Sequence, residues 1–94
     1  MLILPIKKQW YDIIATGQKK EEYRSITPYY ATRFNKIADD NGDFVCMLRN
    51  GYTNQSPTMT VKVHLSIGYG NPDWGADPET EYYILSILDI INNT

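Results

Sequence analysis

Residues Thr16–Ser25 read "TGQKKEEYRS", with five charged side chains crowded into Lys19–Arg24, two residues after a glycine. The fold turns on how this decapeptide is built. Ahead of it, "KQWYDIIAT" sets Trp10, Ile13 and Ile14 three and four residues apart, the spacing of one helical face. Gly17 stands where a helix ends in a left-handed turn, so a short helix is expected over Lys8 to Thr16. Residues 19–25 then read as a strand, with Tyr23 between charged neighbours. Alternation along a strand puts Lys20, Glu22 and Arg24 on one face and Lys19, Glu21 and Tyr23 on the other. Lys19 follows the helix-ending turn so closely that it reaches the mouth of the same cleft whatever its parity.

Working outward, "LILPI" over residues 2–6 is a short apolar run suited to a first strand, and Pro5 sets it at a sheet edge or ends it there. Beyond the decapeptide, Thr27 is a good helix N-cap and Pro28 fits the first helical position of "TPYYATRFNKI". Tyr30, Phe34 and Ile37 form the apolar face of that helix. After the turn "DDNGD" the period changes to two. "DFVCMLRN" reads as a strand, and Met59, Val61, Val63, Leu65 and Ile67 alternate through "TMTVKVHLSIGYG". "NPDWGADPET" is a loop, and "EYYILSILDII" closes the chain as a strand, with a helix as the lesser reading. The order is β-α-β-α-β-β-β. The expected fold is α+β: two short helices on a small, mostly antiparallel β-barrel whose closure removes exposed edges.

The bulk properties bound the function. Ninety-four residues, 43% hydrophobic and 21% charged, make a single small globular domain over 1–94. One cysteine, Cys46, excludes an internal disulfide, and with no leader pattern at the start a reducing cytoplasm is the expected compartment. Cys46 alternates with apolar neighbours and reads as a small buried residue rather than a nucleophile. The one histidine, His64, reads as a strand side chain in "VKVHLSI". No cluster has metal-ligand spacing, so neither a metal nor a cofactor is expected. No apolar run is long enough for a bilayer-spanning helix. A net charge of −2 argues against a broad, salt-driven grip on duplex nucleic acid. Eight of the nine basic residues nevertheless precede Gly51, which leaves room for a local basic surface.

One face of a strand in a small barrel points inward. A lone buried charge there is very costly, whereas a carboxylate paired with a guanidinium is tolerated. Glu22 and Arg24 meet that requirement, and the arginine's planar fork suits a carboxylate or a phosphate. The plainer account is an exposed edge strand guarded by its charges.

The spacing G-x-K-x-x-E-x-R, met here by Gly17, Lys19, Glu22 and Arg24, resembles the signature of the ASCH domain family within the PUA-like β-barrels. The likeness extends to element order over the whole chain, because that family also sets a strand and a short helix before the motif. It implies an RNA- or nucleotide-binding module with Lys19, Glu22 and Arg24 lining a cleft beside the barrel. Gly17 would be the turn that shapes the cleft. Arg49, at the end of a strand before the turn pair Asn50–Gly51, adds to the cleft or is a solvated strand end. Tyr29, Tyr30, Tyr52, Tyr69 and Trp74 are candidates to stack on a base, with Trp74 first, unless it caps the barrel. Some relatives are hydrolases of acylated cytidine that use a lysine, a threonine and a glutamate, and others act as ribonucleases. Glu22 stands at the threonine's position, so that triad is not reproduced. Were the domain catalytic, Lys19 would be the cation and Glu22 the base. A third reading is a protein-interaction or accessory domain in which the charged stretch only stabilises the barrel.

Overall fold

The computed structural model describes residues 1–93. Four apolar residues, Ile3–Ile6, form strand β1, and helix α1 follows over Lys8–Ala15. The buried residues of α1 are Tyr11 and Ile14; of the expected stripe Ile14 is buried, while Trp10 and Ile13 are only partly covered and Tyr11 takes their place. Its end is as anticipated. Gly17 adopts φ 82°, its N–H donates to the carbonyl of Ile14, and the N–H of Lys19 reaches back to Ile13 at 2.9 Å. Strand β2 spans Glu21–Ser25, shorter than the run over 19–25, because Lys19 is still tied to the helix end. Thr27 caps α2, Pro28–Ile37, its Oγ1 accepting from the Tyr30 N–H.

Three long strands follow: β3 Asp43–Asn50, β4 Thr58–Tyr69 and β5 Glu81–Asn93. The closing segment is strand throughout, and the helical alternative is discarded. A single 3-10 turn at Pro72–Trp74, an element not anticipated, sits in the β4–β5 connection. The Asn71 side chain accepts from Asp73 N–H, and Gly75 at φ 97° turns the chain out.

The strands form one sheet in the order β1-β3-β4-β5-β2. All neighbours are antiparallel except β1 and β3, so the sheet is mixed. It curls into a half-barrel and does not close as the expected barrel would: no ladder joins β1 to β2 among the described residues. The reason is local. The two strands that would meet have only four and five residues, and Pro5 lacks an N–H with which to bond.

The inward face carries Phe44, Cys46, Leu48, Met59, Val61, Val63 and Leu85, together with Leu4 and Ile6 from β1. Phe34 of α2 fills its centre, stacked on Phe44 and Tyr30 and edge-on to Tyr83. Burying such a ring contributes about 2 kcal/mol from area alone, with aromatic geometry adding to it. Among the described residues no helix is long and apolar enough to cross a membrane.

Candidate functional site

Strand register decides which way the charged stretch points. Glu22 lies opposite Leu85 and Arg24 opposite Tyr83, both core residues, so Glu22 and Arg24 face inward. The same register turns Glu21 and Tyr23 to the outer face, opposite Ser86 and Ile84. Lys19 precedes the strand and is aimed by its backbone bond to α1, so it joins Glu22 although strand parity alone would part them.

The three side chains form a continuous chain of charge. Lys19 Nζ lies 3.2 Å from Glu22 Oε1, and Arg24 Nη2 donates to Glu22 Oε2 at 2.9 Å. Lys19 is 2% exposed and Glu22 6%. The ammonium of Lys19 also donates to the Trp74 carbonyl at 2.6 Å and lies 4.4 Å from the centroid of the Trp10 ring. Tyr23 stands on its far side at 5.5 Å. Burial pushes the Lys19 pKa down, Glu22 opposes that shift, and the Arg24 charge adds to it.

Arg24 reaches furthest. Nη2 donates to the Pro5 carbonyl at 2.7 Å, and Nη1 donates to the Tyr30 hydroxyl at 3.1 Å. With the bond to Glu22, three of the five guanidinium donors are used. Nε–H is buried and has no partner among the described residues. Two cations share one carboxylate here, and the guanidinium joins strands that no backbone bond joins.

The remaining candidates are dispersed. Gly17 ends α1 and lines an open groove of about 440 Å³ with Ile14, Lys20 and residues 87–90, to which Lys19 contributes but Glu22 and Arg24 do not. The three charged residues expected to line one cleft stand largely out of solvent, with Lys19 and Glu22 buried and the Arg24 side chain 14% exposed. Trp74 enters the cluster through its backbone carbonyl, while the ring above Lys19 belongs to Trp10. Arg49 follows the outward parity of Val45 and Met47, opposite to the buried Phe44, Cys46 and Leu48. No hydrogen bond or ion pair links it to Lys19, Glu22 or Arg24 among the described residues. Of the tyrosines, Tyr30 is committed to Phe34 and Arg24, whereas Tyr29, Tyr52 and Tyr69 are exposed. Arg33 covers one face of Tyr29, its guanidinium carbon 3.3 Å from the ring centroid.

Sequence reasoning missed Trp10, Tyr23 and Pro5 as members of this assembly. The Tyr23 hydroxyl accepts from Asn71 N–H at 2.8 Å and donates to Glu21 at 2.7 Å, which ties β2 to the β4–β5 loop. A glycine made that approach possible, since a Cβ on Gly70 would stand 2.7 Å from the Tyr23 ring. Cys46 is fully buried and its thiol is pushed up to about 12 by burial, so it holds no thiolate near neutrality. His64 Nδ1 pairs with Asp43 across the β3–β4 ladder at 2.7 Å. Among the described residues no three His, Cys, Asp or Glu side chains converge as a metal site. No family model, curated protein or solved structure matches the chain.

Proposed function

We propose that the chain is an ASCH-like domain that binds single-stranded RNA or a nucleotide through the surface over Arg24. The observation that carries this reading is the imbalance of the cluster: Lys19 and Arg24 both pair with one carboxylate, Glu22, leaving a surplus positive charge held in place. Arg24 keeps one further donor, on Nη1, beyond those it commits, while its Nε–H is buried. A phosphate or a base carbonyl accepts from such a donor. The guanidinium sits at the slot between β1 and β2, beside α2 with its exposed Tyr29 and its Arg33. An aromatic ring with an arginine laid on it is a stacking surface for an unpaired base. The likeness of Gly17, Lys19, Glu22 and Arg24 to the family motif supports the same reading. Lys19 and Glu22 act in it as the groups that hold Arg24, since both are buried.

The test is an NMR titration with short single-stranded RNA and with free nucleotides. Backbone signals of residues 22–33 shift in the wild type, and Arg24→Lys, which keeps the charge and loses the fork, weakens binding about tenfold. Signals that stay still at saturating oligonucleotide would sink the reading.

A second reading, a hydrolase acting on a modified nucleoside or RNA, has one observation in its favour. The Lys19 amine has a lowered pKa and stands beside a carboxylate, as acid–base chemistry requires. It calls for turnover of an acylated nucleoside or of RNA that Lys19→Met and Glu22→Gln both remove while the fold persists. Turnover that survives in either variant, or is absent from the wild type, excludes it.

A further inference from the structure

The groove at the end of α1 has its own features. β2 covers β5 only over Tyr82–Ser86, and the Ile87 N–H closes onto the Lys20 carbonyl at 2.8 Å. From Leu88 onward β5 is therefore paired on one edge only, with β4, among the described residues. In that segment the β4 ladder passes from Ile87 to Asp89 and from Ile90 to Asn92, so Leu88 and Ile91 are each skipped. A bulge leaves its extra residue out of the ladder and re-aims its side chain. These two extra residues are apolar, and they are 52% and 55% exposed. Leu88 forms part of the rim of a groove whose lining also includes Ile14, Gly17 and Ile90, and Ile91 follows next in the chain. Lys20 and Asp89 line it as well, and neither makes an ion pair within the chain among the described residues.

We propose that this face is the interface of a homodimer. A second copy docks about a two-fold axis, with Leu88 and Ile91 of each subunit covering the other's groove and Lys20 of each facing Asp89 of the other. The argument for a second copy is complementarity. A two-fold contact uses one patch twice, so the patch must match itself. This one holds both the apolar projections and the groove that receives them, and both an unpaired cation and an unpaired anion. A uniformly acidic or basic partner would satisfy only one of the two charges. The open edge of β5 adds a backbone surface that another strand can approach. The inference is independent of the RNA reading, because neither Glu22 nor Arg24 lines the groove.

Sedimentation equilibrium of the full chain from micromolar to millimolar concentration tests it. The wild type follows a monomer–dimer equilibrium. Leu88→Glu weakens association about 100-fold, since each dimer loses two buried leucines, and the exposed position leaves the circular dichroism spectrum unchanged. Lys20→Asp and Asp89→Lys each weaken the dimer and together restore it. A wild type that is monomeric throughout, including one that binds an unrelated peptide at this face instead, overturns the proposal. So does a dimer indifferent to Leu88→Glu.

Discussion

The Arg24 guanidinium donates to the Pro5 carbonyl at 2.7 Å, and β2 and β1, the two edges of the sheet, are thereby joined by a side chain where no backbone ladder joins them. The same guanidinium holds the inward carboxylate of Glu22 at 2.9 Å. One residue thus performs a task that barrel closure would otherwise perform. The substitution series at this position follows from that dual role.

Arg24→Lys keeps the charge and cannot span Pro5, Tyr30 and Glu22 together. A loss of about 2 kcal/mol in urea unfolding is expected, and about 4 kcal/mol for Arg24→Ala, which leaves Glu22 with a single cation in a buried setting. A lysine variant as stable as the wild type would show that the bridge contributes nothing.

Lys19 makes stability depend on alkaline pH. Its pKa is lowered from 10.5 in the folded chain, with burial the largest cause. Between the folded value and 10.5 the unfolded chain binds more protons, so stability rises with pH across that window. Tyr11 and Tyr23 act in the opposite direction above pH 10, because folding raises both. Comparison with Lys19→Met removes their share. The wild type should gain on the variant as pH is raised from neutrality towards 10.5, and a flat difference between the two curves would contradict the assignment.

Two glycines separate strain from crowding. At Gly17, φ is 82° and a Cβ would meet nothing within 4 Å, so Gly17→Ala carries only the left-handed penalty of about 1 kcal/mol. At Gly70 a Cβ would fall 2.6 Å from Ala76 and 2.7 Å from the Tyr23 ring. Gly70→Ala is expected to cost about 3 kcal/mol and to lower the melting temperature by more than Gly17→Ala does. Equal melting temperatures would count against the close Tyr23 contact.

Tyr23→Phe keeps the ring and removes the hydroxyl that accepts from Asn71 N–H and donates to Glu21. The cost is about 1 kcal/mol, with faster hydrogen exchange at the Asn71 amide as the specific sign. Unchanged exchange at Asn71 would mean that the loop is held by other bonds.

Much of the fold was legible in the residues because its signals are short-ranged. Gly17 ended α1, Thr27 and Pro28 opened α2, and the period-two run from Met59 to Ile67 marked β4. Alternation put Glu22 and Arg24 on one face and the cost of a lone buried charge allowed their pairing, but the residues alone favoured an exposed edge strand, and the register with β5 is what turned the pair inward. Trp74 and Arg49 were harder to place. Nothing local announces that a tryptophan will contribute its carbonyl to Lys19, or that Arg49 falls on the outward parity of β3.

By itself, then, the chain's order of residues determined where the helices and strands lie, since propensity, capping and periodicity act over a few neighbours, whereas Ile37 and Ile67, on expected apolar faces, are exposed. Tertiary structure alone decided that the sheet stays open, that β1 runs parallel to β3, that two bulges push Leu88 and Ile91 outward, and that Lys19 meets Trp10 and the 71–75 loop. Those outcomes depend on which distant backbone groups remain unpaired once the strands have met. Such groups are nearly the same in every residue, the missing N–H of Pro5 excepted, so the sequence carries little mark of them.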